Sequence, residues 1–65
     1  MDPDAAETLW LAKWGERAPE VIDIIAAQPP WSAIFNTLHD AGRLEKYQLP
    51  GLLKLGWKLK EKHNE

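Results

Sequence analysis

The stretch Pro50-Gly51-Leu52-Leu53-Lys54-Leu55-Gly56-Trp57-Lys58-Leu59-Lys60-Glu61-Lys62 decides the fold class read from this chain. Leu52, Leu55, Gly56 and Leu59 recur at i, i+3, i+4 and i+7, with Leu53 and Trp57 on the flank, and that spacing predicts an amphipathic helix. Lys54, Lys58 and Lys62 fall at i, i+4 and i+8 and form a basic stripe on such a helix. Pro50 suits the first helical position, because its fixed φ is already helical and its missing N–H is not needed there. With this stretch helical, no strand elsewhere in the chain has a partner.

That bears directly on Val21-Ile22-Asp23-Ile24-Ile25, whose β-branched residues would suit a strand. A lone strand leaves its backbone hydrogen bonds unmet. The Pro19 start and the Ala26-Ala27-Gln28 ending favour a helix over 19–28. Pro29-Pro30 stops it, since the residue before each proline is pushed out of the helical region. Beyond, Trp31, Ile34, Phe35, Leu38 and Ala41 predict a helix over 31–41, with Gly42 free to take a positive φ at its C-terminal end. Arg43 to Gln48 reads as a connector of at most one helical turn, anchored by Leu44 and Tyr47.

The first helix is predicted over 4–16. Asp2 and Asp4 can cap it, Pro3 fits its first positions, and Glu7 lies in its early turns. Two apolar stripes run along it, Ala5-Leu9-Ala12 and Ala6-Trp10-Trp14, and Leu11 stands apart from both. That is more apolar surface than one core contact needs. The expected architecture is therefore all-α: one small domain over 1–65, a compact bundle of about four short helices at 4–16, 19–28, 31–41 and 50–62 with tight Pro/Gly connections.

Composition narrows the function classes. The chain has 65 residues, four Trp and no Cys. That excludes a large enzyme with a deep cleft, a disulfide framework and a Cys-based zinc finger. Net charge is −2, which does not favour nucleic acid overall. The charge is uneven: residues 1–23 sum to −4 and residues 24–65 to +2. Pairing within the chain explains that polarity more simply than a binding footprint. The start, Met-Asp-Pro-Asp-Ala-Ala-Glu, has no basic region followed by an apolar run, so a cytoplasmic location is expected.

Chemistry finds little to work with. Ser32 and His39 share a face of the third predicted helix but stand about 10 Å apart along its axis, too far for a nucleophile and its base. His39 and His63 are the only histidines, and neither has a partner at metal-ligand spacing. Glu20 and Asp23 sit where a helix N-terminus accounts for them. The expectation is a non-enzymatic protein without metal or cofactor.

Three binding readings remain. The preferred one is a small protein-binding module, an adaptor or inhibitor that covers a surface of a larger protein or pairs as a homodimer. Trp10 and Trp14, one turn apart on the stripe that looks surplus, together with Leu11, are its candidate contact residues, because Trp offers a large rigid apolar area. Lys54, Lys58 and Lys62 would steer the approach. A nucleic-acid-binding regulator ranks second, with the same lysines lying along phosphates. Only two Arg are available to read bases, and Pro50-Gly51 would interrupt a recognition helix. Membrane-surface association ranks third, through an interfacial helix at 50–60 with Leu and Trp on one side and Lys on the other.

Overall fold

A computed structural model of the chain describes residues 1–15, 17, 19–51 and 54–60. Helix α1 (Pro3–Trp14) is followed by a short π-helical turn (Val21–Ile25), helix α2 (Trp31–Asp40), strand β1 (Leu44–Gln48) and strand β2 (Leu55–Leu59). The expected all-α bundle is corrected: β1 and β2 pair antiparallel, from Leu44↔Leu59 to Gln48↔Leu55.

The helix expected at 50–62 does not form over its described residues, and the reason is physical. Gly51 and Gly56 together would cost it about 2 kcal/mol relative to alanine. The same residues also alternate with a period of two: Leu55, Trp57 and Leu59 against Gly56, Lys58 and Lys60. In the strand, Trp57 and Leu59 pack against the core while Lys58 stays exposed. Pro50-Gly51 follows β1 where the hairpin begins to turn, with Gly51 at φ 73°, a left-handed conformation that glycine adopts without strain. Leu49 N–H donates to the Lys54 carbonyl at 3.1 Å and Lys60 N–H to the Arg43 carbonyl at 2.9 Å, closing the ladder at both ends. The segment from Arg43 to Gln48, expected as a connector, forms β1 from Leu44 onward.

The second predicted helix is shortened. Trp57 N–H donates to the Pro19 carbonyl at 3.3 Å, and Glu20 forms a β-bridge with Gly56. Glu20 is thereby extended, and the chain coils only from Val21, with Ala26 N–H reaching back five residues to the Val21 carbonyl at 3.3 Å. Strand β2 thus lies between β1 and the Pro19–Glu20 segment.

The remaining ends follow local rules. Asp2 caps α1, its carboxylate accepting from the N–H groups of Asp4 and Ala5 at 3.0 and 3.1 Å, and Pro3 opens the helix. At the end of α2, Gly42 sits at φ 72°. Gly42 N–H donates to the His39 carbonyl and Arg43 N–H to that of Leu38, the paired bonds of a Schellman ending. The core gathers Ala6, Trp10, Ile25, Ile34, Leu38 and Leu44, with Trp14, Trp31, Phe35 and Trp57 packed around it.

Candidate binding surfaces

Helix α1 places the expected contact residues in three different settings. Trp10, expected as a partner contact, is 2% exposed and belongs to the core of the chain itself. Trp14 is half-buried, edge-on to Trp10 and Trp31 at centroid distances of 6.3 and 5.6 Å. Leu11 is 48% exposed. The surplus stripe is therefore the other one. Ala5, Leu9 and Ala12 face outward, joined by Thr8 and Leu11, and Leu9 is 44% exposed. A Trp side chain buries more area than any other, so the Trp stripe takes the core and the Ala/Leu stripe is left to solvent.

This outer face carries no charged side chain between Asp4 and Lys13. Glu7, the one charged residue in that interval, is half-buried and drawn aside by Arg43, whose guanidinium lies 3.0 Å from its carboxylate and 2.7 Å from that of Asp4. The hydrogen bond to Asp4 first, and that to Glu7 after it, hold the Arg43 pKa above its ordinary value. Thr8 turns its hydroxyl to the Asp4 carbonyl at 3.0 Å. The face presents methyl groups and two leucines.

The lysine stripe is differently placed. A spacing of four keeps Lys54 and Lys58 on one side of a strand as it would on a helix. Each has an internal partner. Lys54 Nζ lies 3.2 Å from Glu20 and 3.9 Å from Asp23, and the hydrogen bond to Glu20 raises its pKa. Lys58 Nζ lies 4.0 Å from Glu45 and 5.7 Å from the Tyr47 ring centre. Lys62 falls outside the described residues. The pairs of Arg43 with Asp4 and Glu7 and of Lys54 with Glu20 and Asp23 bring the acidic first third of the chain against its basic remainder, while the Lys58–Glu45 pair lies within the hairpin. The interfacial helix of the membrane reading is replaced, over its described part, by the hairpin.

A cleft of about 700 Å³ opens where the end of α1, residues 19–24 and the hairpin meet. Trp14, Ile24, Tyr47 and Leu49 give it apolar walls; Lys13 and Arg17 line it from the first segment, Glu20 and Asp23 from the second. Its shape depends on Gly56, which is buried opposite Tyr47 in the ladder. A Cβ at position 56 would come within 2.8 Å of Tyr47 Cε1 and 3.1 Å of the Pro19 carbonyl oxygen. Glycine there lets the ring lie across β2 while the Pro19–Glu20 segment pairs with the same strand.

A second, smaller groove of about 300 Å³ runs between the π-helical turn and α2, lined by Val21, Ile22, Ile25 and Phe35. Ile22 is 77% exposed there. His39 stacks on Phe35 at 5.7 Å and meets Trp57 edge-on at 5.3 Å. Among the described residues no group of three or more His, Cys, Asp or Glu is placed to hold a metal ion. None of the described helices is long and apolar enough to cross a membrane.

Sequence reasoning missed Leu9, the cleft and the role of Gly56. The alternation over 54–60 was the available signal for the hairpin. The cleft has no local signal, because three separate segments build it. Comparison with protein-family models, curated proteins and solved structures finds no match.

Proposed function

We propose that this protein is a small non-enzymatic protein-binding module that acts by covering a surface of a larger protein, as an adaptor or inhibitor. The observation that carries this reading is the outer face of α1. Over about two turns, Ala5, Thr8, Leu9, Leu11 and Ala12 are exposed without a charge among them. A solvated helix face ordinarily carries charged and polar residues, and charge depletion marks the centre of protein interfaces. The small side chains let a second helix approach closely, and Leu9 and Leu11 supply the apolar anchors.

The site thus retains Leu11 from the sequence-based set and replaces Trp10 with Leu9. Neither lysine-based alternative gains support, because Lys54 and Lys58 are held by carboxylates of the same chain.

The test is site-specific photo-crosslinking in the native host from positions 9 and 11, with position 58 as control. Adducts to one protein from 9 and 11 but not from 58 are expected. Their yield should fall about tenfold in a Leu11→Glu background crosslinked from position 9. Both substitutions are at exposed sites, so far-UV circular dichroism should be unchanged. An adduct at twice the chain mass identifies a second copy as the partner. Equal adducts from all three positions, or none, overturn the reading.

A further inference from the structure

We infer that the cleft between α1, residues 19–24 and the hairpin binds a carboxylate borne on an apolar or aromatic group. This site is separate from the outer face of α1, and it stands or falls independently of it.

The charges point to an anion. Lys13 and Arg17 both line the cleft, and neither forms an ion pair among the described residues. Lys13 rests its ammonium over the Trp14 ring, 5.6 Å from the centroid. The two carboxylates that also line the cleft, Glu20 and Asp23, are occupied by Lys54 at 3.2 and 3.9 Å. Of the four charged residues that line the cleft, the two carboxylates are engaged by Lys54 from outside it, and the two without an ion pair among the described residues are the cations. An acid entering the cleft meets Lys13 and Arg17 with no ion pair among the described residues to displace.

The walls point to an apolar body attached to that acid. Trp14, Ile24, Tyr47 and Leu49 line the same space. Its volume of about 700 Å³ falls in the range of small-ligand sites, and its lining divides between these apolar side chains and the charged ones. The space is built rather than incidental. Tyr47 lies over Gly56, close enough to exclude a Cβ there, and Pro19–Glu20 is held on the outer edge of β2. Two sources supply such a group: a free small carboxylic acid, or an acidic residue beside an apolar one in a peptide.

The experiment is an NMR titration of the intact chain, following the Lys13, Arg17 and Tyr47 amides and the Trp14 indole N–H. The Trp14 signal is assigned with Trp14→Phe. The probes are 3-phenylpropionate, its uncharged amide 3-phenylpropionamide, and the blocked dipeptide N-acetyl-Phe-Asp-amide. The carboxylate should shift these signals saturably, and the amide should bind at least about tenfold more weakly. A Lys13→Gln, Arg17→Gln double variant, altered only at exposed positions, should lose about tenfold in affinity for the acid. Tighter binding of the dipeptide than of 3-phenylpropionate assigns the source to a protein segment; the reverse order, or equality, assigns it to a free acid. Equal affinity for acid and amide overturns the inference, as do shifts confined to residues outside the cleft or none by about 10 mM. A Leu9→Glu variant that loses its crosslinked partner yet keeps this titration separates the two sites.

Discussion

Helix α1 and the β-hairpin are held in place by opposite means. Helix α1 is fixed by volume: Trp10 fills the core, and Trp14 and Trp31 extend it ring against ring. The hairpin is fixed at its centre by the absence of volume, at Gly56, where Tyr47 and the Pro19 carbonyl converge on a strand with no side chain in the way. A core built on volume is damaged by removing atoms, and a junction built on a gap is damaged by adding them. One consequence is visible on α1 itself: the helix turns its largest residues inward and is left with small ones and two leucines outside.

The largest effect should come from Trp10→Ala. Emptying a buried Trp site costs about 3–5 kcal/mol, and a chain of this length has about 3–10 kcal/mol in total. Urea unfolding should show a population already unfolded, or a midpoint moved far toward zero denaturant. On the other face of the same helix, Leu9→Ala should stay within about 0.5 kcal/mol of the parent chain. Similar midpoints for the two variants would remove the distinction between the faces.

Adding one methyl at the gap should come next. Gly56→Ala places a carbon 2.8 Å from the Tyr47 ring and 3.1 Å from a backbone oxygen. Overpacking of this kind costs about 1–3 kcal/mol. Tyr47→Ala should relieve the ring part of the clash and not the backbone part. The double variant should therefore lose less than the sum of the single losses, a coupling that thermal unfolding of the four chains measures. Strict additivity would show that Tyr47 does not lie over position 56.

These two regions also differ in how legible they were. Helix α2 has one period only, and its i, i+3, i+4 spacing names Ile34 and Leu38, which are buried. The αL residue at Gly42 follows from the same pattern. In α1 the excess of apolar surface was readable, but a wheel does not rank two apolar stripes. Trp10 and Trp14 looked like the spare pair because they are the stickiest, and for that same reason the core takes Trp10. In the hairpin two periods coexist. Leu52, Leu55 and Leu59 fit a helix; Leu55, Trp57 and Leu59 fit a strand; Pro50-Gly51 serves as a helix start or as a turn. Pairing of Leu44 with Leu59 and of Gly56 with Glu20 settles the matter, and these contacts join residues far apart in the chain. The cleft inherits that non-locality, since its cations, Lys13 and Arg17, lie in the last turn of α1 and just beyond it, and its apolar wall includes the hairpin.

The smallest effect tests the ionic link between the two regions. Lys54, at the start of β2, reaches Glu20 and Asp23 on the segment that leaves α1. The hydrogen bond and attraction of Glu20, followed by the attraction of Asp23, raise its pKa in the folded chain. A group whose folded pKa lies above its unfolded value binds its proton more tightly when folded. Its contribution is fully present below the unfolded lysine pKa and is lost as pH rises through the folded one. The pair is solvent-exposed, so the change is small and screened by salt. Unfolding midpoints measured from about pH 9 to about pH 11.5 should fall more steeply in the parent chain than in Lys54→Met. The two curves should approach each other toward the alkaline end, as the lysine loses its proton. Parallel curves across that range would mean that the hairpin is held to the Glu20 segment by the β-bridge and the packing at Gly56 alone.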